Sequence, residues 1–234
     1  MTEYLSYKES IGTTHVLLRI KPFDRLLLYF CRKKGINHPK GIFLKHIIEK
    51  YLKSRRNLVF ADIGAGNGQY LFSLDGYFSK KYAVDNDDYY KKNFEDRKIE
   101  FYKRDVNFDK LPFLDKSIDL ILCFHLIEHL KNPLLLLKEI KRVLKNGGII
   151  VIFSPDIRKY KWRFYDDVTH VKPYTPYSLE MITISCGLKT LYCGNGRSLY
   201  VWGLMVLLPN IISEKLTSLY YGIGKDVFYI GTPQ

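Results

Sequence analysis

The sequence predicts an α/β protein built on an open, doubly wound sheet, and three observations carry that prediction. An apolar run, Leu58 to Ile63, stops at three glycines spaced two apart, Gly64, Gly66 and Gly68. Beyond it, short runs rich in β-branched residues alternate with stretches of helical length, the rhythm of right-handed strand–helix–strand crossovers. One of these runs, Ile118-Asp-Leu-Ile-Leu-Cys-Phe124, is almost unbroken, as expected of a central parallel strand covered on both faces.

Two helical patterns precede the glycine turn. His15 to Lys34 and Lys40 to Lys53 each carry an apolar stripe between basic residues, separated at Asn37-His-Pro39. They make a basic N-terminal extension, residues 1–56, before a domain spanning 57–234, and covering the sheet is the preferred role for both helices. After the turn, Gln69 to about Gly76 reads as a helix and Lys81-Tyr-Ala-Val-Asp85 as the second strand. Asp88 to Arg97 is helical and Ile99 to Lys103 is a third strand. Pro133 to Leu144 is an apolar helix, with Asn146-Gly147-Gly148 as its expected stop signal, and Gly148 to Ser154 is a fifth strand. The 19 residues from Asp156 to Tyr174 are polar and aromatic, long for a loop and therefore expected to be functional. Thr175 is the expected N-cap of another helix, with Pro176 at its first position. Leu188 to Cys193 is strand-like, Leu199 to Tyr221 is an apolar helical insert, and Asp226 to Ile230 is the last strand.

Composition narrows the setting. The net charge is +13, and thirteen lysines and arginines face only four acids between Met1 and Phe60. Such a surface suits anionic lipid, phosphate or nucleic acid, or is simply solvated. The four cysteines show no zinc-ligand spacing and read as reduced thiols of a cytoplasmic protein. No signal peptide is recognisable. The longest uncharged run, the 16 residues Ser198 to Ser213, falls short of the ~20 needed to span a bilayer.

Glycines at this spacing are a weak signal alone, but two acids join them. Asp85 ends the second strand 19 residues beyond Gly66, where a carboxylate can accept from both hydroxyls of a ribose. Asp105 follows the third strand at the same edge, suited to an adenine amino group. The pieces Phe60-Ala-Asp-Ile-Gly-Ala-Gly-Asn-Gly68, Ala83-Val-Asp-Asn86, Arg104-Asp-Val106, Ile127-Glu-His-Leu130 and Val143-Leu-Lys-Asn-Gly-Gly148 then occur in order. Together they resemble the class I S-adenosylmethionine-dependent methyltransferases, from about Asn57 to Gln234. The resemblance implies a Rossmann-like sheet of seven strands with the last one antiparallel, and S-adenosylmethionine as cofactor. It also implies that Asp62 and the Gly64-Ala65-Gly66-Asn67-Gly68 backbone meet the methionine part, Asp85 and the adjoining Asn86 the ribose side, and Asp105 with Val106 the adenine. Phe124 and His125 are implied near the sulfonium.

Competing motifs are set aside. Tyr77 with Lys81 and Tyr221 with Lys225 have the spacing of short-chain dehydrogenases but the wrong place relative to the sheet. His125-Leu-Ile-Glu-His129 spells a zinc-protease motif, yet it directly follows a buried strand. Glu128, His129 and His170 resemble a divalent-metal set of some O-methyltransferases of this fold. His125 replaces that pattern's first acid, and no metal is assigned.

The stretch Asp167-Val-Thr-His170 resembles one found in methyltransferases of small molecules and glycans. His170, with His129, is the catalytic candidate, as a base taking a hydroxyl proton. Trp162, Tyr165, His170, Tyr174 and Leu199–Leu208 are candidates for the acceptor side. The expected acceptor is an oxygen of a small molecule, sugar or lipid-linked glycan, with a peripheral contact to anionic membrane as a second expectation. Nucleic-acid methylation rests on charge alone and is disfavoured; a non-catalytic protein keeping the fold is the remaining alternative.

Overall fold

The protein is described by a computed structural model over residues 40–196 and 224–234. The expected helix from His15 to Lys34, Cys31 and the apolar insert 199–221 lie outside the described residues. The first described element, α1 (Lys40–Tyr51), buries Phe43, Leu44, Ile47 and Ile48, one stripe at helical spacing. Phe43 meets Phe153 and Phe228 of the sheet edge-on, with ring centroids 5.8 and 5.7 Å apart. This helix therefore covers the sheet, as its pattern requires.

The sheet has seven strands in the order β3-β2-β1-β4-β5-β7-β6. They are β1 (Leu58–Ile63), β2 (Phe78–Asp85), β3 (Glu100–Lys103), β4 (Ile118–Phe124), β5 (Leu144–Pro155), β6 (Leu188–Gly196) and β7 (Asp226–Pro233). β7 runs antiparallel to both its neighbours, whereas β1 to β5 pair in parallel. All seven residues of β4 are buried, because side chains alternate between two apolar layers. Leu120, Leu122 and Phe124 face the layer with α1; Ile118, Ile121 and Cys123 face the layer of α3 (Pro133–Val143) and α5 (Pro176–Ser185). Strand order reverses between β1 and β4, and ligands of open α/β sheets bind beside such a switch point.

Two local expectations fail for physical reasons. No α-helix follows the glycine turn: residues 69–73 form irregular turns, and α2 (Lys91–Glu95) is the next helix. Only Phe72 N–H donates back to Gly68, at 3.0 Å. Burial of Leu71 and Leu74 is achieved without further helix, and the Lys81 ammonium donates to their carbonyl oxygens at 2.7 and 3.0 Å. Lys81 thus satisfies acceptors that another helical turn would have satisfied.

Asn146-Gly147-Gly148 does not stop α3, which already ends at Val143 with Leu144 extended. Instead the register between β4 and β5 slips between Ile118 and Leu120. Gly147 takes φ +73°, and a Cβ on Gly148 would stand 2.9 Å from Lys145 O and 3.0 Å from Ile118 O. The glycines make a bulge within β5. At α5 the cap is as expected: Thr175 Oγ1 accepts from Ser178 N–H at 3.1 Å and Ser178 Oγ accepts from Thr175 N–H at 2.9 Å.

Candidate active site

A cleft opens at the C-terminal edge of β1, β2 and β3. Its lining includes Gly64, Asp85, Asn86, Asp105, Val106 and His129. Of the residues expected to bind cofactor, five therefore share this cleft. Asp85 ends β2 and turns Oδ2 toward the glycine turn, accepting from Gly66 N–H at 2.8 Å; Oδ1 accepts from Asp87 N–H at 3.2 Å. Burial raises its carboxyl above the ordinary value, with the N–H donors of Gly66, Asp87 and Asn86 opposing that rise. Asp105 caps its own turn, Oδ1 accepting from Asn107 N–H and Nδ2, both at 3.0 Å.

Four of the five amides of the glycine turn are taken up by the protein itself. Gly64 and Ala65 N–H both donate to Val84 O, at 2.8 and 3.2 Å, and Gly68 N–H donates to Ala65 O at 2.9 Å. With Gly66 N–H held by Asp85, what the turn offers a ligand at Gly64 and Gly66 is backbone without a Cβ more than a row of donors. On the Cβ side of Gly66 there is no atom within 4 Å.

Ala65, Gly66, Asn67 and Gly68 are outside the cleft lining, as are Asp62, Phe124 and His125. Asp62 is buried within β1, and its charge reaches Tyr70. Burial pushes the Tyr70 hydroxyl well up, and the charges of Asp62 and Asp226 push the same way. The ring of Phe124 lies edge-on to that of Tyr70, centroids 4.6 Å apart, in the layer facing α1. His125 has φ +51°, and its half-exposed imidazole brings Nδ1 to 3.5 Å from Glu128 Oε1.

Tyr70, Tyr160 and Asp226 were missed by the sequence reading. The Tyr160 hydroxyl donates to Asp226 Oδ1 at 3.3 Å, and burial raises the Asp226 carboxyl. Asp226 opens β7 opposite Pro155, so it reaches this edge only through antiparallel pairing of distant segments.

The segment after β5 is folded around a buried anchor. Asp156 caps α4 (Ile157–Tyr160), accepts from the Arg158 guanidinium at 2.6 Å and from Asn195 Nδ2 at 2.7 Å, and so ties the segment to β6. A 3-10 turn, Lys161–Asp166, follows and buries Phe164. Val171 and Lys172 N–H then donate to Glu128 O at 2.9 and 3.0 Å, which seats His170 against the loop after β4. The His129 and His170 rings are 4.7 Å apart. Trp162 and Tyr165 are exposed, but Tyr174 is buried in the core at 2% exposure and cannot be a surface contact for an acceptor.

Both imidazoles have their orientation fixed. His170 Nδ1 donates to Phe164 O at 2.6 Å, and the ring stacks on Phe164 at 4.4 Å. His129 Nδ1 faces Thr169 O at 3.1 Å and Thr169 Oγ1 at 2.9 Å, while Thr169 Oγ1 itself donates to Asp167 Oδ1. A carbonyl can only accept, so in each ring Nδ1 carries a proton and Nε2 is the nitrogen left to meet a ligand. Burial lowers the His129 value, against the pull of Glu128, so the ring is neutral at pH 7.

Glu128 is fully buried with no hydrogen-bond partner for either carboxyl oxygen among the described residues. Glu128, His129 and His170 can each direct one ligand atom to within 4.8 Å of the others. They are the metal-capable group found among the described residues. No described helix is long and apolar enough to cross a membrane.

Comparison with known proteins agrees with this geometry. The methyltransferase-domain family model matches residues 61–152, from β1 into β5. No curated protein matches. Among solved structures, the putative methyltransferase complexed with the Trm112 activator of Haloferax volcanii superposes with TM-score 0.62 at 18% identity, over 88% of this chain and 94% of that one. A SAM-dependent methyltransferase from Archaeoglobus fulgidus gives 0.58 at 23% identity, over 87% and 99%. One from Clostridium acetobutylicum gives 0.60 at 13% identity, over 83% and 90%. The family match over the cleft-bearing strands, together with the seven-stranded sheet and its antiparallel β7, shows a methyltransferase domain at residues 61–152 on the fold shared with S-adenosylmethionine-dependent methyltransferases, with S-adenosylmethionine as the cofactor this match implies.

Proposed function

We propose that this enzyme methylates a hydroxyl oxygen of a small molecule, sugar or lipid-linked glycan, at the edge shared by the cofactor cleft and the segment after β5. The observation that carries the reading is the pair of imidazoles His129 and His170, 4.7 Å apart, each with Nδ1 turned to a backbone carbonyl and with His129 on the cleft wall. The adenosine side of the cofactor is assigned to Asp85, Asn86, Asp105 and Val106, and its methionine side to Asp62 and residues 64–68, with Phe124 and His125 toward the sulfonium. The sulfonium methyl is already activated, so the protein's work is alignment and proton removal. The acceptor oxygen forms the new bond to the methyl carbon, the carbon–sulfur pair stays on sulfur, and the hydroxyl proton passes to an Nε2 lone pair.

A screen of metabolites and glycans for the mass of one added CH₂ identifies the acceptor. On that acceptor, His170→Asn and His129→Asn should each lower turnover about 100-fold or more, the usual range for a lost general base, while S-adenosylmethionine still binds. Unchanged turnover in both variants would remove the histidines from the mechanism. Products methylated only on nitrogen or carbon would replace the hydroxyl reading.

Glu128 favours a second reading, in which the two Nε2 atoms and its buried carboxyl, which accepts no hydrogen bond among the described residues, would hold a divalent cation that orients and acidifies the hydroxyl. The Nδ1 contacts to backbone carbonyls resemble the outer contacts that fix metal-bound histidines. Chelator-treated protein should then bind Mn²⁺ in a paramagnetic titration, with affinity at least about tenfold lower in Glu128→Gln. Equal binding by the variant, or none by the parent protein, discards the cation.

A further inference from the structure

The segment that carries His170 also carries an exposed surface that the methyl-transfer chemistry does not use. Trp162 is 85% exposed, Tyr165 51%, Val168 81% and Val171 50%. Lys159, Lys161, Arg163 and Lys172 are exposed in the same segment, and among the described residues no hydrogen bond or ion pair involves their charged ends. This contrasts with the neighbouring Arg158, which is paired to Asp156. Large apolar side chains and unpaired cations are thus gathered on one short stretch.

The stretch is held rigidly. Phe164, fully buried between Arg163 and Tyr165, pins its middle, Asp156 anchors its start, and the Glu128 carbonyl holds its end at Val171 and Lys172. Lys161 adopts φ +53°, a conformation that side-chain-bearing residues rarely take, where α4 gives way to the 3-10 turn that holds Trp162. A surface that only needed to be solvated would not require a pinned backbone carrying an exposed indole.

We propose that this surface, from Lys159 to Lys172, docks on an anionic lipid bilayer, so that the acceptor reaches His170 from the membrane interface. An indole suits the headgroup level, where its apolar body and its N–H both find partners. Lysine and arginine side chains bury their stems while their charges meet anionic headgroups. Charge complementarity selects the occupant: the four cations face only Asp166 and Asp167 within the segment, on a chain of net charge +13. The inference rests on the acceptor side lying at this edge, and it narrows the acceptor class to lipid-borne molecules.

The protein contains two tryptophans, so Trp202→Phe leaves Trp162 as the sole indole reporter. That variant is mixed with vesicles of phosphatidylcholine alone or with added phosphatidylglycerol, with flotation run in parallel. Expected is a blue shift of Trp162 emission and co-flotation with the anionic vesicles only, both reversed by high salt. Lys161→Gln and Arg163→Gln should each weaken vesicle binding about fivefold, the effect of one charge near an anionic surface. Calorimetric titration with S-adenosylmethionine on the same preparations checks that the fold and cofactor site are intact. Flotation without a Trp162 shift would move the contact to another surface, and no flotation with intact cofactor binding would end the membrane reading; either overturns the proposal. Neither result bears on whether the acceptor atom is a hydroxyl, which the mass screen decides separately.

Discussion

Replacing Asp85 by alanine is expected to weaken S-adenosylmethionine binding by about 1–3 kcal/mol, roughly 5- to 150-fold, in calorimetric titration. Two losses combine. The carboxylate is the acceptor assigned to the ribose hydroxyls, and charge-assisted hydrogen bonds are the stronger ones. The same group also holds the glycine turn through Gly66 N–H at 2.8 Å. Asp85→Asn separates the two, since its amide oxygen can still accept from Gly66 while offering one acceptor fewer to a ligand. The expected order of affinity is parent, then asparagine, then alanine. Acid gives an independent check. Burial raises this carboxyl, so it takes up a proton at higher pH than an ordinary aspartate near 3.9. Binding needs the ionised form and should therefore weaken on descending toward that raised value, before ordinary carboxylates titrate. In Asp85→Asn this acid-side loss should be absent. Equal affinities in all three proteins would take Asp85 out of the cofactor site.

The parts of this fold legible in the sequence are those whose pattern has one physical solution. A run such as Ile118 to Phe124, apolar on both alternating faces, can only be a strand buried between two layers, and β4 has these very ends. Thr175 and Pro176 likewise announce a helix start that the reciprocal Ser178 contacts then complete. Patterns with two solutions misled. Leu71 and Leu74 fit a helix, yet Lys81, distant in sequence, satisfies their carbonyls and lets irregular turns persist. Asn146-Gly147-Gly148 suits a helix stop or a bulge equally, and the pairing of β4 with β5 decides for the bulge. The site divides the same way. Asp85 and Asp105 are legible because strand tips of one parallel sheet share an edge. Tyr70 and Asp226 are not, because burial under Phe124 and the antiparallel return of β7 depend on contacts between remote segments. Tyr174, an apparent surface aromatic of a polar loop, is core because the segment folds back over it.

Gly68→Ala and Gly66→Ala should have opposite consequences, although both sit in one turn with positive φ. At Gly68 the backbone has φ +75°, and a Cβ would overlap Phe94 Cε1 and stand 2.7 Å from Phe72 Cζ. Both rings belong to a packed aromatic group, with Phe94 buried and stacked on Phe101 at 5.7 Å. They cannot withdraw without opening that group. Left-handed strain of about 1–2 kcal/mol and overpacking of about 1–3 kcal/mol add to an expected loss of roughly 2–5 kcal/mol in denaturant unfolding. At Gly66, with φ +50°, the added Cβ meets no atom within 4 Å, so only the strain of about 1–2 kcal/mol applies. That open side is the face assigned to the cofactor. Gly66→Ala should therefore fold with a modest loss of stability and yet lose S-adenosylmethionine affinity by more than its stability loss accounts for. Gly68→Ala, where it remains folded at low temperature, should keep most of its affinity. The reverse pattern would mean that the cofactor approaches the turn from the Phe72 side, and Asp62 with Tyr70 would then replace Gly66 as its first contacts.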